Sequence, residues 1–188
     1  MTPADVITIS RTFLVLLLAV LIYYGIGSPY LVSAALVLAF LLDAIDGIVA
    51  RKYRCSTVLG SLLDVVGDRI TEIILWLTFL SLDLVPLWAP VSVLSRAVIT
   101  DALRAKAASK NVSVYSMSRS RIFRAFVSSR WSRGLYGTSK AVFFVTLTLM
   151  RYGVVPFSSP LVTAFSLYLV AYSLVRGLPV LLSARNVM

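Results

Sequence analysis

The chain has 188 residues, enough for one compact domain; 59% of them are hydrophobic, only 14% are charged, and mean hydropathy is +0.91. Soluble domains are about 45–50% apolar and about 25% charged, so an ordinary buried core cannot absorb this excess and the bilayer must solvate much of the surface. The net charge is +10, but the bases sit between apolar runs, which excludes a nucleic-acid face and leaves anionic lipid or an anionic substrate as the partner.

Six apolar runs follow one another, at 11–27, 30–51, 57–82, 85–106, 136–155 and 158–182. Each is near the ~20 residues that carry a helix across a bilayer. The first, Thr12 to Ile26, has the look of a signal-peptide core, but only Arg11 charges its front and more apolar runs follow, so it reads as an uncleaved membrane helix. Gly25, Gly27, Ser28 and Pro29 break the chain after the first run, Asp83 and Pro86 after the third, and Pro156, Ser158 and Pro160 after the fifth. Breaks this short imply neighbouring helices packed side by side. The expected fold is an all-α integral-membrane bundle of six transmembrane helices, a single membrane domain over 1–188.

Basic residues orient it. Arg51, Lys52 and Arg54 lie in the second-to-third turn; Lys106, Lys110, Arg119, Arg121, Arg124, Arg130, Arg133 and Lys140 lie along the fourth-to-fifth connection. The opposite turns hold no base before Arg151. Lys and Arg concentrate on the cytoplasmic side, so both chain ends are expected there, in a multi-pass protein of the cell membrane. Within 118–133, Ile122, Phe126, Val127 and Trp131 recur near helical spacing among Arg121, Arg124 and Arg130. This fits an amphipathic helix in the membrane interface and equally a solvated basic loop.

Five of the eight acidic residues fall between 43 and 72: Asp43, Asp46, Asp64, Asp68 and Glu72. A lone carboxylate in a membrane helix costs several kcal/mol, so such residues have a partner or a function. Asp43 and Asp46 are i,i+3 and share one helix face; Asp64 and Asp68 are i,i+4 and share a face of the next helix. Two adjacent antiparallel helices can thus aim four carboxylates at one cytoplasmic pocket. Arg51 and Arg69 could neutralise part of that charge in a salt-bridge network. The chain has no histidine and a single cysteine, Cys55, so neither a disulfide, a histidine-based triad nor a His-ligated metal is available. Hard divalent cations held by oxygen fit instead, and four carboxylates suffice for two ions, the arrangement that clamps attacking and leaving oxygens in phosphoryl chemistry. Gly47, Ala50 and Gly60 are small enough to admit a ligand or a neighbouring helix.

The stretch Asp43-Ala-Ile-Asp46-Gly47-Ile-Val-Ala50-Arg51, then eight residues, Gly60, three, Asp64, three, Asp68, resembles the CDP-alcohol phosphotransferase signature D-x2-D-G-x2-A-R-x8-G-x3-D-x3-D, with every fixed position filled. At residue frequencies near 5%, eight such positions coincide by chance on the order of once in 10^10 starts. Pro3, Thr8 and Arg11 resemble, more weakly, the start of the family's first helix. The resemblance implies transfer of a phosphate-linked lipid group from a CDP-lipid to a small alcohol, releasing CMP. It implies Asp43, Asp46, Asp64 and Asp68 as ligands of one or two Mg²⁺ or Mn²⁺ ions, with Asp43, Asp46, Gly47, Ala50, Arg51 and Gly60 around the nucleotide. It also makes Asp68 the candidate general base, and dimerisation an expectation from the resemblance alone.

The acceptor is less well specified. Arg96 through Arg104 resembles the R-E-x6-R pattern of phosphatidylglycerophosphate synthases with Ala97 at the acidic place, and Gly137 to Ala141 resembles their G-K-x-K-T element with only Lys140 of its two lysines. Arg69, Arg96, Arg104 and Lys140 make a clamp for an acceptor phosphate, or positive-inside anchors. Arg69 directly after Asp68 looks more like inositol-phosphate-using members. Glycerol phosphate is therefore the first expectation and inositol phosphate the second, on an ester- or ether-linked lipid donor. A cation- or proton-coupled transporter is the rival from another class, although its sites sit near the bilayer midplane at repeat interfaces and no repeat is visible here. A structural membrane protein, its acids paired with Arg51 and Arg69, is the third class.

Overall fold

The computed structural model describes residues 3–53, 58–109 and 130–184, with side chains described for 6–42, 65–106 and most of 132–180. Among the described residues there are six α-helices and no strand. They are α1 (Pro3–Tyr24), α2 (Pro29–Tyr53), α3 (Val58–Ser81), α4 (Trp88–Ser109), α5 (Arg130–Arg151) and α6 (Ser159–Ala184).

The connections are set by local chemistry. After α1, Gly25 N–H donates to Ile22 O and Ile26 N–H to Leu21 O, with Gly25 at φ +68°; this paired pattern ends a helix on a left-handed residue. The next helix then opens on Ser28-Pro29, with proline where its missing N–H costs nothing. Gly153, at φ +73°, closes α5 by the same pattern: its own N–H donates to Met150 O and the Val154 N–H to Leu149 O. Asp83 closes α3 likewise, at φ +54°.

Two helices start earlier than the apolar runs predict. α1 begins at Pro3 rather than 11, and α5 at Arg130 rather than 136. In α1 the polar Thr8 and Arg11 are buried against α3, so polarity there marks a packed face. In α5, Ser132 is buried and shares a hydrogen bond with the hydroxyl of Tyr172. Positions 118–129 of the proposed interfacial segment lie outside the described residues.

The chain divides into two units. The first comprises 1–85 and 141–159, in which α1 packs on both α2 and α3. Val15, Leu18, Ala19 and Ile22 form the buried stripe of α1, while Phe13, Leu16, Leu17 and Val20 on its other face are exposed and equally apolar. A helix apolar all round requires an apolar solvent. Phe40, Trp76, Phe79, Phe143 and Phe144 make the aromatic centre of this unit, with Trp76 edge-on to Phe144 at 5.3 Å. The second unit comprises 86–140 and 160–188; Val93, Ala97, Leu169 and Val180 are buried in it.

Among the described residues two stretches are long and apolar enough to cross a membrane, Val6–Tyr24 and Ser159–Leu178. The described part of α2 is apolar over Pro29–Leu42. α3, α4 and α5 are interrupted by charge: Asp64, Asp68, Arg69 and Glu72 in α3; Arg96, Asp101, Arg104 and Lys106 in α4; Arg130, Arg133 and Lys140 in the first half of α5.

Candidate active site

In the first unit, α2 carries Asp43, Asp46, Gly47, Ala50 and Arg51 towards its C-terminal end. α3 carries Gly60, Asp64 and Asp68 from its N-terminal end. Helical geometry keeps Asp43 with Asp46, and Asp64 with Asp68, on shared faces. The side chains of these residues other than Asp68 lie outside those described.

Asp68 is half-exposed, and Arg11 of α1 donates from Nη2 to its Oδ1 at 2.6 Å. Arg11 itself is buried. Its approach depends on Gly67: a Cβ there would sit 2.7 Å from Thr8 Cγ2, so α1 and α3 touch next to Asp68 only because residue 67 has no side chain. Arg69 donates from Nη1 to Oε2 of the buried Glu72 at 2.7 Å.

Among the described residues no three acidic, histidine or cysteine side chains gather as a cation site. The donor set nevertheless fits a hard divalent ion. It is made of carboxylates on two consecutive helices, and the second oxygen of Asp68 carries no hydrogen bond from a described residue.

The second unit gathers bases. The stem of Arg96 crosses α6 at Gly177, where a Cβ would lie 2.7 Å from Arg96 Cδ. Arg176, the neighbour of that glycine, places its Cζ 5.4 Å from the centre of the Tyr136 ring, and Lys140 Nζ stands 4.9 Å from the same ring. Tyr136 stacks on Tyr172 at 5.6 Å with planes 6° apart, which fixes the ring both cations use. Arg104 Nη1 lies 3.6 Å from Asp101 Oδ1. Arg96 and Arg176 each keep a buried Nε with no hydrogen-bond partner among the described residues. Guanidinium and ammonium groups are the side chains that bind phosphate, and this unit carries several of them, Arg104 being paired with Asp101.

The structure thus brings Arg96, Arg104 and Lys140 into one unit, while Arg69 lies in the other, paired with Glu72. Sequence reasoning missed Arg176, whose signal was a lone base in the apolar run 158–182. It also missed Gly67 and Gly177, and it read Arg11 as the start of a helix rather than the partner of Asp68.

A family model described as CDP-alcohol phosphatidyltransferase matches residues 1–175, and the chain belongs to that family. Its members are membrane proteins that transfer a phosphatidyl group from a CDP-alcohol to an acceptor alcohol, and they generally depend on a divalent metal. The chain is accordingly a transferase of phospholipid biosynthesis. No curated protein matches the chain as a relative.

Proposed function

We propose that this enzyme transfers a phosphatidyl-type group from a CDP-linked lipid to glycerol phosphate, releasing CMP, as phosphatidylglycerophosphate-type synthases do. Inositol phosphate is the second candidate acceptor, favoured by Arg69 following Asp68. The filled signature over 43–68 supports the donor half of the reading. Lys140 and Arg176 at the Tyr136 ring, and the stem of Arg96 at Gly177 beside Arg176, support the acceptor half. A neutral alcohol such as serine or free inositol offers nothing for these bases to bind, whereas a dianionic phosphate does.

In this reading Asp43, Asp46, Asp64 and Asp68 hold two Mg²⁺ or Mn²⁺ ions. When bound, the ions neutralise the pyrophosphate and make CMP a good leaving group. Gly47, Ala50 and Gly60 let the nucleotide approach the backbone, and Arg51 pairs with its phosphate. Arg69, Arg96, Arg104 and Lys140 are the residues proposed to hold the acceptor phosphate. Asp68 accepts the hydroxyl proton as the new oxygen–phosphorus bond forms and the bond to CMP breaks. The whole chain acts as one membrane domain of six spans, with both ends and the active site on the cytoplasmic side; a homodimer is part of the proposal.

The test is CMP release from a CDP-lipid with Mg²⁺ across glycerol phosphate, inositol phosphate, glycerol, inositol and serine. Turnover confined to the phosphorylated acceptors is the expected result. Robust turnover of an uncharged alcohol, with none of either phosphorylated one, would overturn the acceptor assignment while leaving the transferase chemistry standing.

A further inference from the structure

Asp68 is built differently from an acid that simply waits in a cleft. One of its oxygens is taken by a guanidinium from another helix, and that guanidinium is almost completely shielded, at 2% exposure against 42% for the carboxylate. A charged group is buried this fully only where its geometry is over-determined by its neighbours. The neighbours here are Gly67, which lets Thr8 press against α3, and Thr8 itself, one helical turn before Arg11. The Gly67 position also lies 3.7 Å from Arg11 Nη2, measured from an ideal Cβ, so backbone, threonine and guanidinium share one small volume.

We propose that Arg11 is a positioning residue for Asp68: by occupying Oδ1 it fixes the carboxylate's rotamer and leaves the other oxygen, with its two lone pairs, to the divalent ion and the acceptor hydroxyl, with the Thr8–Gly67 contact setting the helix approach that lets it reach. The inference rests on the proposed metal site and adds to it a residue outside the 43–68 signature. Two roles for Arg11 make opposite predictions. If it were only a counter-charge competing with the ion for Asp68, removing it would strengthen cation binding, since a positive charge beside a divalent ion repels it. If it positions the ligand, removing it weakens binding, as loss of a group that orients a metal ligand does, by about 10–100-fold.

The probe is Mn²⁺ alone, its free concentration followed by electron paramagnetic resonance over the purified full chain in detergent. The expected result is that Arg11→Gln weakens Mn²⁺ binding at least about 10-fold, with Arg11→Lys in between because it offers a single point donor where the guanidinium offers a fork. Gly67→Ala is expected to weaken binding in the same direction, and Thr8→Ser combined with Gly67→Ala to restore it, because serine keeps the hydroxyl and deletes only the Cγ2 that a new Cβ would strike. The glycine pair decides the matter independently if Arg11→Gln fails to fold. Unchanged or tighter Mn²⁺ binding in Arg11→Gln, or no rescue by Thr8→Ser, overturns the positioning role alone. Absence of Mn²⁺ binding by the unaltered protein overturns the metal reading and this role with it.

Discussion

At two places a missing Cβ decides where a charged side chain lies. Gly67 admits Thr8 beside Asp68, and Gly177 admits the stem of Arg96 beside Arg176. The two differ in what a methyl would displace. At Gly67 the obstacle is a buried β-branched side chain with few alternatives; at Gly177 it is the middle of a long flexible arginine, which can move at little cost. Gly177→Ala is therefore expected to leave the melting temperature nearly unchanged but to raise the KM for the phosphorylated acceptor several-fold, with the CDP-lipid KM unaffected. Steady-state kinetics with each substrate varied in turn check this; a rise in the donor KM alone contradicts the assignment of Arg96. The carboxylates make a sharper case. Replacing Asp43, Asp46, Asp64 or Asp68 by Asn keeps shape and removes charge. CMP release should fall at least ~100-fold, as it does when a positioned electrostatic or general-base group is lost. Full activity in all four variants, or in EDTA, refutes the mechanism.

Helix ends carry the connections of the first unit. Arg151 donates from Nη2 to Tyr23 O at 2.9 Å and from Nε to Ile22 O at 3.3 Å, and the Tyr152 hydroxyl donates to Ile26 O at 2.7 Å and Leu21 O at 3.2 Å. These acceptors are the last carbonyls of α1 and its turn, which have no partner within their own helix. Tyr152→Phe should lower stability by about 1 kcal/mol, the usual net value of a hydrogen bond, with kcat unchanged; thermal unfolding reads it. The helix breaks themselves were legible in the sequence. Gly25, Asp83 and Gly153 all stand at positive φ, and two of the three fell at predicted breaks. The apolar runs alone did not give the true starts of α1 and α5, because Thr8, Arg11 and Ser132 interrupt the hydropathy; for α1 only the weak resemblance at Pro3, Thr8 and Arg11 pointed to the earlier start. The Arg11–Asp68 contact joins residues 57 apart and has no spacing signature at all. The aspartates of 43–68, by contrast, could be read directly, since i,i+3 and i,i+4 spacing is a property of any helix.

At the scale of the whole molecule, the outstanding prediction is the membrane topology. Among the described residues two helices are apolar enough to span by themselves, and the other four carry charge or extend beyond the described side chains. Charge within a helix does not exclude spanning if the charged half lies at the cytoplasmic end and its bases anchor there. α3 is compatible with this: its charges fall between Asp64 and Glu72 and its remainder, Ile73 to Leu80, is apolar. The condition is met in mirror image in α4, where Arg96, Asp101, Arg104 and Lys106 follow an apolar beginning, and again in α5, where Arg130, Arg133 and Lys140 precede the apolar stretch from Ala141 to Met150. The polarity of the helices alternates in step with the chain direction, as it must if successive helices cross in opposite senses. The proposed six-span arrangement predicts the turn at Asp83 on the outer face and the bases Arg51 and Lys106 on the cytoplasmic face. Cys55 is the single native cysteine, so a Cys55→Ser background with one new cysteine beside Asp83 gives a clean probe. A membrane-impermeant maleimide applied to intact cells should label it, and a cysteine placed beside Lys110 should react only after the membrane is opened. Labelling near Asp83 only after the membrane is opened sinks the six-span arrangement.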